Sequence, residues 1–156
     1  MVPNLMQSFG VGAAELGNIA AFYFYAYALF QLPAGALADK FGPSRPMTIA
    51  AIFCVVGSLL FADAHQIWVA ELSRLLIGCG SGFAFICTLR LVANWFPANR
   101  FALLCGITNA FGMFGAFIGE EPLTPLVSHF GWRGTVEILS GIGVVIAILI
   151  VFIVKD

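Results

Sequence analysis

The seven basic and eight acidic residues of this 156-residue chain are spaced so that they bracket five long uncharged runs: Leu16–Ala38 (23 residues), Pro46–Ala62 (17), Leu75–Leu89 (15), Phe101–Gly119 (19) and Ile138–Val154 (17). A helix that crosses a bilayer needs about 20 mostly apolar residues. Five such spans with short connections use nearly the whole chain and leave no room for a separate soluble domain. Helix is the conformation these runs demand, because lipid cannot hydrogen-bond an open backbone and the runs are too long and unalternating for barrel strands. The fold class read from the sequence is therefore all-α, a polytopic membrane protein with spans at 17–38, 46–63, 67–93, 100–121 and 134–154. The connections carry helix breakers: Gly42-Pro43, Pro97, Pro122 with Pro125, and Gly131-Trp132.

Several functions drop out. Charged residues make up 10% of the chain, against roughly 25% in soluble domains, and no basic cluster of the kind that tracks phosphates is present, so nucleic acid is not a partner. Cys54, Cys79, Cys87 and Cys105 all fall inside uncharged runs without C-x-x-C or Cys/His ligand spacing; they read as small apolar core residues, and no metal or cofactor is expected. His65 and His129 lie in connections. No Ser/His pair, paired aspartates or metal-ligand set occurs within the spans, which argues against an enzyme.

Orientation follows from the basic residues, which collect on the cytoplasmic side. Lys40 and Arg45, Arg90 and Arg100, and Lys155 mark one side, whereas the opposite connections hold Arg133 with Asp63, Glu120 and Glu121. The amino terminus is thus expected outside and the carboxyl terminus inside. Trp68, Trp95 and Trp132 sit at expected span ends, as interfacial anchors do. Residues 1–14 are uncharged, are interrupted by Pro3, Gly10 and Gly12, and are too short to cross; they read as the tail of a helix whose beginning is missing. Met1-Val2-Pro3-Asn4 lacks the positive flank of a signal peptide.

The first connection reads Gly35-Ala36-Leu37-Ala38-Asp39-Lys40-Phe41-Gly42-Pro43-Ser44-Arg45. It resembles the cytoplasmic signature loop of the major facilitator superfamily, G-x-x-x-D-[RK]-x-G-x-x-[RK], with a thinner set of charges because Pro43 and Ser44 stand where that family often has basic residues. Arg74-Leu75-Leu76-Ile77-Gly78 is similar to the family's fourth-helix R-x-x-x-G, Trp95-Phe96-Pro97-Ala98-Asn99-Arg100 to the following loop, and Gly131-Trp132-Arg133 to the entry to helix six. The resemblance implies that the five spans are helices two to six of a six-helix half-transporter, residues 1–156 being a partial amino-terminal bundle with the end of helix one. It also implies a central solute site between two halves that alternate in access. The missing helix and second half, or a partner chain, would then be needed alongside the lipid bilayer, and the expected location is the bacterial cytoplasmic (inner) membrane.

Within that frame the resemblance makes Gly35, Asp39, Lys40, Gly42 and Arg45 a conformational-switch loop. Gly35 would allow close backbone approach, Gly42 a turn, and Asp39 would latch the two halves; the plainer reading of Asp39 is a solvated loop acid. Arg74 lies several residues inside the outer end of its span, where burying a charge costs at least ~2.5 kcal/mol, so it is a candidate for a substrate or proton pathway. The alternative is snorkelling to the interface with Glu71 as helical partner. Arg74 shares a helical face with Gly78, Ser81, Phe85 and Thr88, a sparse polar stripe suited to a cavity wall. Tyr23, Tyr27 and Gln31 recur every four residues and present hydroxyl and amide groups on one face, for a solute or for packing. Arg90 reads as a topology anchor that could also join the Asp39 network. Gly78 with Gly82, and Gly115 with Gly119, make G-x-x-x-G spacings that favour close helix packing. Glu120, Glu121 and Glu137 gather at outer helix ends as loop acids or proton-linked groups.

The expected function is secondary active transport of a small solute, with uptake by proton symport or exchange preferred over drug efflux, because the helix with Gly112 and Gly115 lacks the Gly-Pro element that family antiporters often carry. The competing reading is a truncated paralogue that does not transport and acts as a partner or regulator.

Overall fold

The computed structural model describes residues 2–120 and 123–154, and every element among them is helical: α1 (Val2–Phe9), α2 (Ala13–Phe41), α3 (Ser44–Ala62), α4 (Ile67–Trp95), α5 (Ala98–Glu120) and α6 (Leu123–Ile153). The helix limits follow local chemistry. Gly10 adopts φ 64° and separates α1 from α2. The Glu15 carboxylate accepts a 2.7 Å hydrogen bond from the Gly12 N–H, satisfying a donor that the first turn of α2 leaves orphaned. Gly42, at φ 77° and ψ 159°, makes the turn into α3, a conformation essentially confined to glycine. Pro46 is tolerated because it falls in the first turn of α3.

One boundary differs markedly from the sequence reading. The last helix reaches back to Leu123, well before the expected start at 134, but it is broken at Gly131 (φ 71°, ψ 170°), so a short segment precedes the long one. Pro125 suggests a loop, yet proline suits the opening turn of a helix. Among the described residues, four helices, Ala13–Phe41, Ser44–Ala62, Ile67–Trp95 and Pro125–Ile153, are long and apolar enough to cross a membrane. The fifth expected span, α5, is 23 residues long, and its stretch from Phe101 to Gly119 carries no charged residue.

At the centre stands α4, packed against α2 on one side and α3 on another, with α6 laid on α3. The largest cluster of buried apolar side chains lies at one end of the bundle and draws on five helices and one connection: Leu5, Ile19, Phe61, Ala64, Ala70, Val127 and Trp132. Trp132 is accordingly core rather than an interfacial anchor. It is 5% exposed, packs on Phe9 and Phe61, and donates its indole N–H to Ser8 Oγ at 2.9 Å. Trp68 and Trp95, by contrast, are more than half exposed. The outer faces of α5, from Phe111 to Phe114 in particular, are uncovered in this chain.

Candidate functional site

Close approach of α4 to its neighbours is what brings polar groups together inside this bundle. A methyl group on Gly78 would collide with the Tyr23 carbonyl oxygen, and one on Gly82 would lie 2.8 Å from the Tyr27 carbonyl oxygen, so this glycine pair lets α4 lie directly on α2. Gly80, on the other side of α4, similarly faces the backbone of Ala50 at 2.5 Å. Gly115 meets open space; the surroundings of Gly119 lie outside the described side chains.

With α2 and α3 held this near, Arg74 is confined between them. Its guanidinium lies 4.3 Å from the centre of the Phe61 ring of α3, and its Nε is buried without a hydrogen-bond partner. Tyr23 of α2 stands within electrostatic range, and Tyr27 stacks on Tyr23 one turn further along, ring centres 6.0 Å apart. Arg74, Tyr23 and Tyr27 therefore form one column along the α2–α4 contact, and Gln31 continues it, half-buried, at the next turn. Glu71 is not the partner of Arg74; its carboxylate accepts a hydrogen bond from Asn18 Nδ2 at 3.2 Å, and the ion pair found among the described residues joins other groups.

The remaining stripe residues do not join the column. Ser81 Oγ turns toward α3, 3.9 Å from Cys54 Sγ, and Thr88 donates to the Ala84 carbonyl of its own helix at 2.8 Å. Both had the spacing for a cavity wall, but a hydroxyl in an apolar helix takes the nearest acceptor, often the carbonyl one turn back.

At the opposite end, Asp39 pairs with Arg90 at 2.9 Å, with side chains 61% and 47% exposed. Arg90 thus makes contact with Asp39, as the second of its two readings expects. Gly35 offers no close approach within this chain, since a Cβ there would meet nothing. Instead Gly35, Asp39 and Arg90 border one shallow cavity between α2 and α4 with Leu89 and Phe101. Lys40 lies over the Phe41 ring and Arg45 is exposed. Ser44, the departure from the family loop, ties the first turn of α3 to the end of α6 by donating to the Val154 carbonyl at 2.9 Å.

The residue that sequence reasoning missed is Arg133. Its Nε donates to the Ala62 carbonyl at 3.1 Å and its Nη2 to the Ala64 carbonyl at 2.6 Å. It thus satisfies carbonyls left orphaned at the end of α3 and places a cation at the negative pole of that helix. A lone basic residue on the side poor in positive charge was the available signal.

Two matters decide the family: the loop geometry around Asp39 and a match to the Major Facilitator Superfamily over residues 1–156. The chain belongs to the Major Facilitator Superfamily. Similar proteins include the probable sulfoacetate transporter SauU of Cupriavidus necator, 27% identical over 99% of this chain and 36% of its own length. The probable L-galactonate transporter of Escherichia coli is 24% identical over 93% of this chain and 32% of its own length. The multidrug resistance protein MdtL of Klebsiella pneumoniae is 26% identical over 99% and 40% respectively. The chain thus spans about a third of the length of such superfamily transporters, and it is a membrane protein rather than an enzyme.

Proposed function

We propose that the intact protein is a secondary transporter that takes up or exchanges a small organic anion by alternating access, with Arg74 as the fixed cation on its path. The observation that carries this reading is the Arg74 guanidinium held between helices with a buried, unpartnered Nε–H. A buried donor without a partner costs about 1–3 kcal/mol, and an arginine inside a membrane costs more. A carboxylate or sulfonate arriving beside it would supply the missing acceptor and the countercharge, and the fork of the guanidinium suits either group. Tyr27 and Gln31 then offer hydroxyl and amide groups to the rest of the solute, and two of the relatives are described as transporters of a sulfonated or sugar-derived acid. Drug efflux, the competing direction of transport, has less use for a desolvated cation.

On this reading α2 to α6 are five spans, α5 among them, with the amino terminus outside, the basic loops in the cytoplasm and the protein in a bacterial inner membrane, working by symport or exchange. Asp39 with Arg90 belongs to the inner gate. The test is uptake of labelled carboxylates and sulfonates by the full-length protein in liposomes under an imposed proton gradient. Uptake inhibited by other small anions, lost in Arg74→Gln and partly kept in Arg74→Lys, is expected. Uptake of anions that survives Arg74→Gln unchanged refutes the assignment.

A further inference from the structure

Where α2 turns into α3 lies a cavity of about 350 Å³ that none of Arg74, Tyr27 or Gln31 lines. Leu37 and Phe41 of α2, Ile49 and Phe53 of α3 and Phe83 of α4 form its walls, and Arg45 stands at its rim. At about 100° per residue, Leu37 and Phe41 straddle the side of α2 opposite Asp39, so this cavity is separate from the one bordered by the Asp39–Arg90 pair. Leu37, Phe41, Ile49 and Phe53 each leave more than a third of their surface uncovered.

The occupant must satisfy two demands at once. It must be apolar along the slot, and it must carry negative charge at the rim, because Arg45 is exposed and has no acidic partner among the described residues. Lys40 adds a second cation, its Nζ 5.2 Å from the centre of the Phe41 ring that walls the slot. A soluble anion meets only the second demand and a neutral acyl chain only the first. We propose that the cavity binds one anionic phospholipid of the cytoplasmic leaflet. An acyl chain fills the slot, the phosphodiester takes two donors from the Arg45 guanidinium, and Lys40 contributes charge without fixed geometry.

The experiment uses the full-length protein, equilibrated with equal amounts of phosphatidylglycerol and phosphatidylcholine and examined by native mass spectrometry. Wild type retains one phosphatidylglycerol in preference to phosphatidylcholine. A basic residue near the surface contributes about fivefold to attraction for anionic lipid, so Arg45→Gln lowers that preference about fivefold. Arg45→Lys falls between the two. Ile49→Trp, which fills the slot, loses the retained lipid of either kind, whereas Arg100→Gln, a basic residue outside the cavity, changes nothing. Thermal transitions of all variants are measured in parallel, and the arginine variants decide the matter if Ile49→Trp does not fold. Equal retention of both lipids by wild type, no retained lipid, an unchanged preference in Arg45→Gln, or retention by a folded Ile49→Trp each overturns the proposal.

Discussion

Alanine substitutions along α4 should destabilise the bundle in an order set by how close the new methyl comes to the facing helix. At Gly82 it would lie 2.8 Å from the Tyr27 carbonyl oxygen, at Gly80 2.5 Å from the Ala50 carbonyl oxygen and 2.6 Å from Cys54 Sγ, and at Gly78 it would collide outright with the Tyr23 carbonyl oxygen. Ordinary contact begins near 3.4 Å, so the neighbour must retreat by about 0.6 Å at Gly82, about 0.9 Å at Gly80 and further at Gly78. The obstacles are mainly backbone atoms, which cannot swing aside as a side chain would; the whole facing helix has to move and its other contacts loosen. Overpacking of this kind costs roughly 1–3 kcal/mol. Gly115→Ala serves as the reference, because it meets open space and gains the same intrinsic helix propensity, up to about 1 kcal/mol. Relative to it we expect losses of about 1, 2 and 3 kcal/mol at Gly82, Gly80 and Gly78. The assay is the thermal midpoint of the purified full-length protein, followed by size-exclusion recovery after heating. For a protein about three times the length of this chain the shift is about 1 °C per kcal/mol, so Gly78→Ala should melt roughly 3 °C below Gly115→Ala. Equal midpoints for those two variants, or the reverse order, would refute the claim that α4 is seated by backbone contact at its glycines.

Two further substitutions separate gating from stability. Asp39→Asn breaks an ion pair whose partners are both about half exposed, worth less than about 1 kcal/mol. Its thermal midpoint should stay put while turnover in uptake falls several-fold, and Arg90→Gln should slow transport equally, with no further loss in the double variant; unchanged kinetics remove Asp39 from the gate. Arg133→Ala has the opposite signature. It strips two charge-assisted hydrogen bonds from the end of α3, so stability should fall by about 2–3 kcal/mol, with Arg133→Lys recovering part; a loss under about 0.5 kcal/mol contradicts the capping role.

Much of the architecture was legible because lipid imposes a single rule, that backbone groups be satisfied within a helix, and charge spacing then marks the helices. Gly42 was readable for a similar reason, since a turn between two helices wants a residue free to take positive φ. What escaped was whatever depends on a neighbour in space. Trp132 stands at a helix end, where an indole normally serves the interface, and only the arrival of Phe9 and Phe61 makes it core. Ser81 and Thr88 share the Arg74 face by periodicity, yet each finds a polar partner elsewhere, Cys54 of α3 and the Ala84 carbonyl of α4. Gly115 shares the G-x-x-x-G spacing of Gly78 and Gly82 in sequence, yet it meets open space where they meet the backbone of α2.

The two ends of the bundle are held by contacts of different kinds, and that difference bears on how such a chain can change state. At the end carrying Trp132, side chains from α1, α2, α3, α4 and α6 share one buried cluster, and Arg133 closes α3 from part-buried positions. Separating those elements would expose apolar surface at roughly 25 cal/mol per Å² and strand carbonyls in the gap. At the other end the Asp39–Arg90 pair is open to solvent, where water can replace either partner at little net cost. A two-state transporter needs contacts that can be exchanged for others of nearly equal worth, because the states must lie within a few kcal/mol of each other. The exposed pair meets that condition and the Trp132 cluster does not. Within this chain, then, the end with Asp39 is where rearrangement is cheap, and the end with Trp132 is the fixed frame against which it occurs.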